Sequence, residues 1–219
     1  MNQPTGLSRR RLFAVVGAAA AGTAAAAALP AAAQAAPSPA LGPGPAPTRW
    51  TASRSQNRWP VIDRASAGAF RVEGSDATAT LLTSAGEPSD AAATLLHVAR
   101  RFHYDVAPLA DGDVHGYHTD RAIAAGFESN RLSGTAIALR PQAYPVGSAG
   151  NLFPYEVAAV RRILADCEGV VSWHGDDPVR PAEGCFSIGV PPGDARLARV
   201  AAKIRGWQAT PGMGAGTTP

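Results

Sequence analysis

Apolar residues recur at helical spacing in three places along this chain, with short extended runs between them, and that alternation limits the folds open to it. Pro88-Ser89-Asp90 predicts a helix start, after which Leu95, Val98 and Phe102 fall on one helical face. Pro154 and Glu156 predict a second helix with Val157, Val160, Leu164 and Cys167 in a stripe, which Gly169 is placed to end. Asp194 predicts an N-cap for a third, with Leu197, Val200, Ala201 and Ile204 on its buried face. Tyr104 to Leu109 reads as extended, and Thr135 to Leu139, Val170 to Trp173 and Phe186 to Val190 read as strands. Helices packed on a small, mostly antiparallel sheet is the economical arrangement, an α+β fold.

Residues 1–36 read as an address rather than as part of the fold. Ser8-Arg9-Arg10-Arg11-Leu12-Phe13 fits the twin-arginine export pattern. An Ala/Gly-rich stretch follows from Leu12 to Leu29, and Ala33-Gln34-Ala35 offers a signal-peptidase site. The stretch is just long enough to span a bilayer. Alanine makes it only weakly hydrophobic, so cleavage is expected over retention as an anchor. No Cys lies near the site, which speaks against a lipoprotein. The expectation is an exported protein, in the periplasm or cell wall or secreted, that meets a membrane only in transit. Arg9, Arg10 and Arg11 account for the whole formal excess of +3, and the segment contains no acid. The rest is near neutral and makes no case for a nucleic acid partner.

Residues 37–56, rich in Pro and Ala, read as an extended linker. Residues 57–207 read as one domain, long enough for a real core, and residues 208–219 as a loose tail. Two cysteines, Cys167 and Cys185, stand in a chain bound for an oxidising compartment, where a disulfide is permitted. Whether the two sulfurs meet is left open by the sequence. His97 and His103 sit in or beside the first helix and read as packing residues, and Trp173 reads as core.

The segment Ser129-Asn130-Arg131-Leu132-Ser133-Gly134-Thr135-Ala136-Ile137-Ala138-Leu139 is the most informative in the chain. It resembles the S-N-H-x-S-G-T-A-I-D-L motif of the D-alanyl-D-alanine carboxypeptidase-like zinc peptidases, a family that includes L-alanyl-D-glutamate endopeptidases of peptidoglycan. Further blocks follow in the family's order. Phe153 to Leu164 resembles the helix after the motif, Val170 to Asp176 resembles V-V-x-W-G-G-D, and Glu183 to Ile188 resembles E-x-H-F-x-I. Together they span roughly Gly116 to Ile204. The resemblance implies a peptidase-like α+β fold and metal-assisted hydrolysis, with zinc held by two His and one Asp and a carboxylate activating water.

The residues that would carry this chemistry are replaced. Arg131, a permanent cation without a lone pair, stands at the first His position, and Ala138 at the Asp position. Cys185 stands at the last His position and Ala182 at the catalytic carboxylate. The scaffold residues around them fit while the ligands do not. The resemblance therefore implies a kept fold with an abandoned zinc site, a pseudoenzyme with no cofactor, no catalytic residue and peptidoglycan stem peptides or a partner as its ligand. Arg131 either offers a bidentate contact to an acidic peptide terminus or leans to solvent. Ser129, Thr135 and Arg121, which lies near the family's substrate-orienting arginine, are the other candidate ligand-binding residues.

The alternative is an active peptidoglycan metallopeptidase with a rebuilt zinc site. Its ligands would be His115, His118, His174 and Cys185, with Asp176 nearby and Glu183 as a displaced base. Scattered surface histidines are the plainer reading of the same residues. A third option is a purely structural domain with a Cys167–Cys185 bridge.

Overall fold

The computed structural model describes residues 46–210. The export segment 1–36 with its cleavage site, the linker up to residue 45 and residues 211–219 lie outside that range. In chain order the strands are β1 (Thr48–Arg49), β2 (Ala67–Arg71), β3 (Thr78–Ser84), β4 (Glu87–Pro88), β5 (Val114–His115), β6 (Ala122–Ile123), β7 (Ala136–Leu139), β8 (Val171–Trp173) and β9 (Cys185–Ile188). The helices are α1 (Asp90–Asp105), α2 (Pro154–Asp166) and α3 (Ala195–Ala209), with a 3₁₀ segment at Gly126–Ser133. The fold is α+β, with small antiparallel sheets and flanking helices, as the alternating periodicity predicts. Among the described residues no helix is long and apolar enough to cross a membrane.

The helices start where the sequence places their caps. Ser89 accepts from the Ala92 amide at 3.2 Å, and Asp194 accepts from the Arg196 amide at 2.9 Å. Pro154 opens α2, where Glu156 reaches back to the Phe153 amide at 2.7 Å. The central helix α1 packs on α3, on α2 and on strands β3, β4, β7 and β9, burying Leu95, Val98, Ala99 and Phe102. Phe102 meets Phe186 edge-on at 6.2 Å and Tyr144 at 5.9 Å, which ties α1 to β9 at the centre of the core.

The main sheet has the order β5-β7-β9-β8, antiparallel throughout. Because strand side chains alternate, Ile137, Leu139, Phe186 and Ile188 enter the helix-covered core. Ala136, Ala138, Cys185 and Ser187 therefore occupy the opposite face, under the 3₁₀ segment. A second sheet, β2-β3-β4, lies beside it and is tied to it by Tyr117 N to Thr80 O at 2.6 Å and Leu82 N to Gly134 O at 3.0 Å. Gly134 adopts φ +64°, and a Cβ there would come within 2.6 Å of the Leu82 amide nitrogen, so the turn into β7 requires glycine.

Three expectations need correction, and one element is new. Tyr104 continues α1 instead of starting an extended segment, because the helix runs on to Asp105. The linker ends earlier than residue 56: β1 pairs with β6, and Ser55 is buried beneath the main motif. Gln208 and Ala209 complete α3 and do not belong to a tail. The β2–β3 hairpin was not foreseen, since β2 is Ala-Gly-Ala-Phe-Arg and carries no β-branched residue to signal a strand.

Candidate functional site

The polar residues of the 129–135 motif act first as a frame. Ser129, Asn130, Ser133 and Thr135 are buried, and each is engaged by the segment that crosses beneath them. Ser129 Oγ donates to the Gly126 carbonyl at 2.6 Å and accepts from the Gln56 amide at 2.9 Å. Asn130 Oδ1 accepts from the Asn57 amide at 3.0 Å. Asn57 Nδ2 donates to Thr135 Oγ1 at 2.8 Å and to the Ile188 carbonyl at 2.9 Å. Ser55 Oγ reaches Ser133 Oγ at 3.1 Å. The expectation that Ser129 and Thr135 contact a ligand is thus corrected: their hydroxyls are spent inside the protein, where water and ligand do not reach. Asn57, the residue at the hub of this network, carried no signal in the sequence, because apart from Ser55 its partners lie 73 to 131 positions away.

Arg131 leaves this frame in the other direction. It lines an open cleft of about 470 Å³ together with Thr80, His115, His118 and Asp120. It also lines a small adjoining pocket with Glu128, His174 and Cys185. Its one ion-pair partner among the described residues is Glu128, at 3.6 Å, beyond hydrogen-bonding distance. Glu128 itself accepts from the Ala124 and Ala125 amides at 2.7 and 2.8 Å, so it is held as a cap for the 3₁₀ segment. The guanidinium therefore keeps donors free toward the cleft.

The sheet register decides what lies under Arg131. Ala138 is the direct partner of Cys185 across β7–β9 and of His115 across β5–β7. Ala138 and Cys185 are therefore adjacent in space although 47 positions apart in sequence. Ala182, fully buried, holds the turn before β9 through its amide to the His174 carbonyl at 2.8 Å.

The donor chemistry here does not suit zinc. Burial pushes the Cys185 thiol up to about 12, so in the metal-free protein it is a neutral thiol. Arg131 offers no lone pair. His174 is stacked on Phe127 at 4.1 Å and 15°, with Nε2 2.8 Å from Ser187 Oγ, and burial lowers its pKa to about 4. His115 and His118 line the open cleft, whereas His174 and Cys185 line the small pocket, so the four alternative ligands are divided. Among the described residues no group of three or more His, Cys, Asp or Glu side chains is placed to hold a metal ion.

Other candidates have structural tasks. Glu183 is buried, and its carboxylate accepts from the Gly150 amide at 2.9 Å and from the Asn151 amide and Nδ2 at 2.8 and 2.9 Å. It anchors that loop and is not free to act as a base. Asp176 forms a bidentate pair with Arg161 at 2.5 Å. Arg121 donates to the Trp50 and Ala52 carbonyls at 3.2 and 3.3 Å, holding the 50–52 segment instead of a substrate. Cys167 and Cys185 are free thiols, which corrects the option of a structural bridge between them. His103 accepts from the Leu109 amide at 2.8 Å, and Trp173 is core, with Nε1 donating to the Glu183 carbonyl at 2.7 Å.

No family model, curated protein or solved structure matches the chain.

Proposed function

We propose that this chain is an exported cell-envelope protein with a D-alanyl-D-alanine carboxypeptidase-like domain, catalytically inactive, that binds the carboxylate end of peptidoglycan stem peptides through Arg131. One observation carries the reading. A guanidinium with free donors lines an open cleft and also a small pocket that it shares with Cys185, at the position where the family motif would have a zinc ligand. A carboxylate is the group that a planar, forked cation binds best. A metal ion at the same point would meet repulsion from the Arg131 guanidinium, which has no lone pair to offer it.

The test is calorimetric binding of N-acetyl-D-alanyl-D-alanine and of a muropeptide, with zinc content measured on the same preparation. The expected result is binding weakened at least about tenfold by Arg131→Ala, in line with the loss of a charge-assisted contact. Near-stoichiometric zinc, with muropeptide hydrolysis lost in Cys185→Ala, would overturn it in favour of a working metallopeptidase.

A further inference from the structure

Charge is unevenly placed along the described domain. Residues 46–66 carry Arg49, Arg54, Arg58 and Arg64 against one acid, Asp63, a net +3, whereas residues 67–210 carry a net −3. Beyond residue 66, Arg71, Arg100, Arg161, Arg196, Arg199 and Arg205 are each ion-paired. None of the four arginines before it has a carboxylate partner among the described residues. Residues 1–45 and 211–219 contain no Asp or Glu that could supply one.

The fold holds these cations together. The 54–60 loop is closed by the bridge pair Arg54–Pro60 and by Ser55 N to the Trp59 carbonyl at 2.9 Å. Its Ser55, Gln56 and Asn57 are the residues spent on the 129–135 motif, so the loop is fixed from beneath. Arg54 and Arg58 are its exposed residues on either side of them, and the Arg54 guanidinium donates to the Arg58 carbonyl at 2.7 Å. Arg58 holds φ +70°, a left-handed turn that a non-glycine residue adopts at a cost. Trp50 Nε1 donates to the Arg54 carbonyl at 3.0 Å, and Arg121 donates to the Trp50 carbonyl at 3.2 Å. These bonds bring the end of β1, with exposed Arg49, and a further cation to the same loop. The acids on the neighbouring turns are tied to their own backbone, Asp63 accepting from the Ser66 amide at 3.1 Å and Asp120 from the Ala122 amide at 2.9 Å.

Like charges held close on a fixed loop repel each other, and an anionic surface relieves that repulsion. A guanidinium also meets a phosphate with two parallel N–H bonds. The reach of the chain says which anionic surface is at hand. If the leader ends at residue 36, residues 37–45 span at most about 30 Å, so the cluster emerges beside the bilayer that the protein crosses. We infer that Arg49, Arg54 and Arg58 form a docking surface for the anionic phosphate headgroups of that bilayer, which keeps the protein at the membrane after the leader is cut. This rests on the export reading above and is independent of Arg131.

The experiment is co-sedimentation of the chain from residue 37, which holds every described residue and lacks the three leader arginines, with lipid vesicles. The expected result is binding to phosphatidylcholine vesicles containing about a third phosphatidylglycerol, lost in about 0.5 M salt, and none to phosphatidylcholine alone. Combining Arg49→Gln, Arg54→Gln and Arg58→Gln should weaken binding about a hundredfold, at about fivefold for each arginine. Removing the same charge elsewhere, through Arg162→Gln, Arg196→Gln and Arg199→Gln, should change it less than about threefold. If circular dichroism shows the first triple variant unfolded, Arg49→Gln with Arg58→Gln replaces it, since the Arg54 bond goes to a backbone carbonyl and survives. Equal binding to neutral vesicles, or an equal loss in the two triple variants, overturns the docking surface. So does an absence of vesicle binding, and retention on immobilised polyphosphate in that case would make the ligand an anionic polymer. Export is read separately, from the N-terminal sequence of the protein recovered outside the cytoplasm, so either reading can fail alone.

Discussion

Cys185 and Ala138 face each other as direct partners across the β7–β9 ladder. If the motif is a zinc site with its ligands removed, restoring them should restore the metal. The variant Arg131→His, Ala138→Asp, Cys185→His is expected to purify with near-stoichiometric zinc, read by elemental analysis on protein whose fold is checked by circular dichroism. A folded triple variant without zinc would mean that these three positions do not form the tetrahedral shell the resemblance implies.

Asn57 joins the N-terminal segment to both β7 and β9, with Nδ2 donating to Thr135 Oγ1 and the Ile188 carbonyl. Asn57→Ala removes both of these bonds, while Thr135 Oγ1 keeps its contact with Ser133 Oγ at 2.8 Å, so the expected cost is about 1–3 kcal/mol. Urea unfolding should show a lower midpoint of that size. An unchanged midpoint would place the segment outside the cooperative core.

Burial holds both thiols up at about 12. Three units above the ordinary value leave roughly a thousandfold less thiolate at neutral pH. Iodoacetamide at pH 8 should therefore leave the native protein almost unmodified over a time in which free cysteine reacts fully. The denatured chain should take two adducts by mass spectrometry, one for each cysteine. Rapid labelling of Cys185 in the native state would make a metal-binding thiolate credible again.

His97 and His174 are both held at about 4, chiefly by burial. His97 lies 3.7 Å from Asp166, but a ring kept neutral makes no ion pair at neutral pH. The folded pKa values lie below the unfolded value of about 6.5, so the unfolded chain binds more protons. The stability from neutral, buried rings is complete above pH 6.5 and is lost as pH falls toward 4. For His97 alone the shift corresponds to about 3 kcal/mol. Thermal unfolding should fall steeply over that window, and His97→Leu should flatten the slope. A melting temperature constant from pH 7 to 4.5 would contradict burial of neutral imidazoles.

The three helices and the strands β7, β8 and β9 were legible in the sequence because their signals are local. Ser89 and Asp194 cap the turns that follow them, and Leu95, Val98 and Phe102 repeat at the helical period. The hairpin β2–β3 was not legible, since Ala67 to Arg71 is held in its strand by pairing with Thr78 to Leu82 and by no preference of its own.

The site divides along the same line. The sequence by itself determined which side chains stand in the motif: Arg131 and Ala138 bring no lone pair for a metal, whereas Cys185 brings a sulfur. Only the tertiary structure decided what remains. It spent Ser129 and Thr135 on Gln56 and Asn57, gave Arg121 to the Trp50 and Ala52 carbonyls, and sealed Glu183 into the 150–151 loop. It left Arg131 lining the open cleft, with Glu128 no closer than 3.6 Å. A hydrogen bond satisfied at long sequence separation leaves no local pattern, so which polar residues are free for a ligand is settled only when the chain has folded.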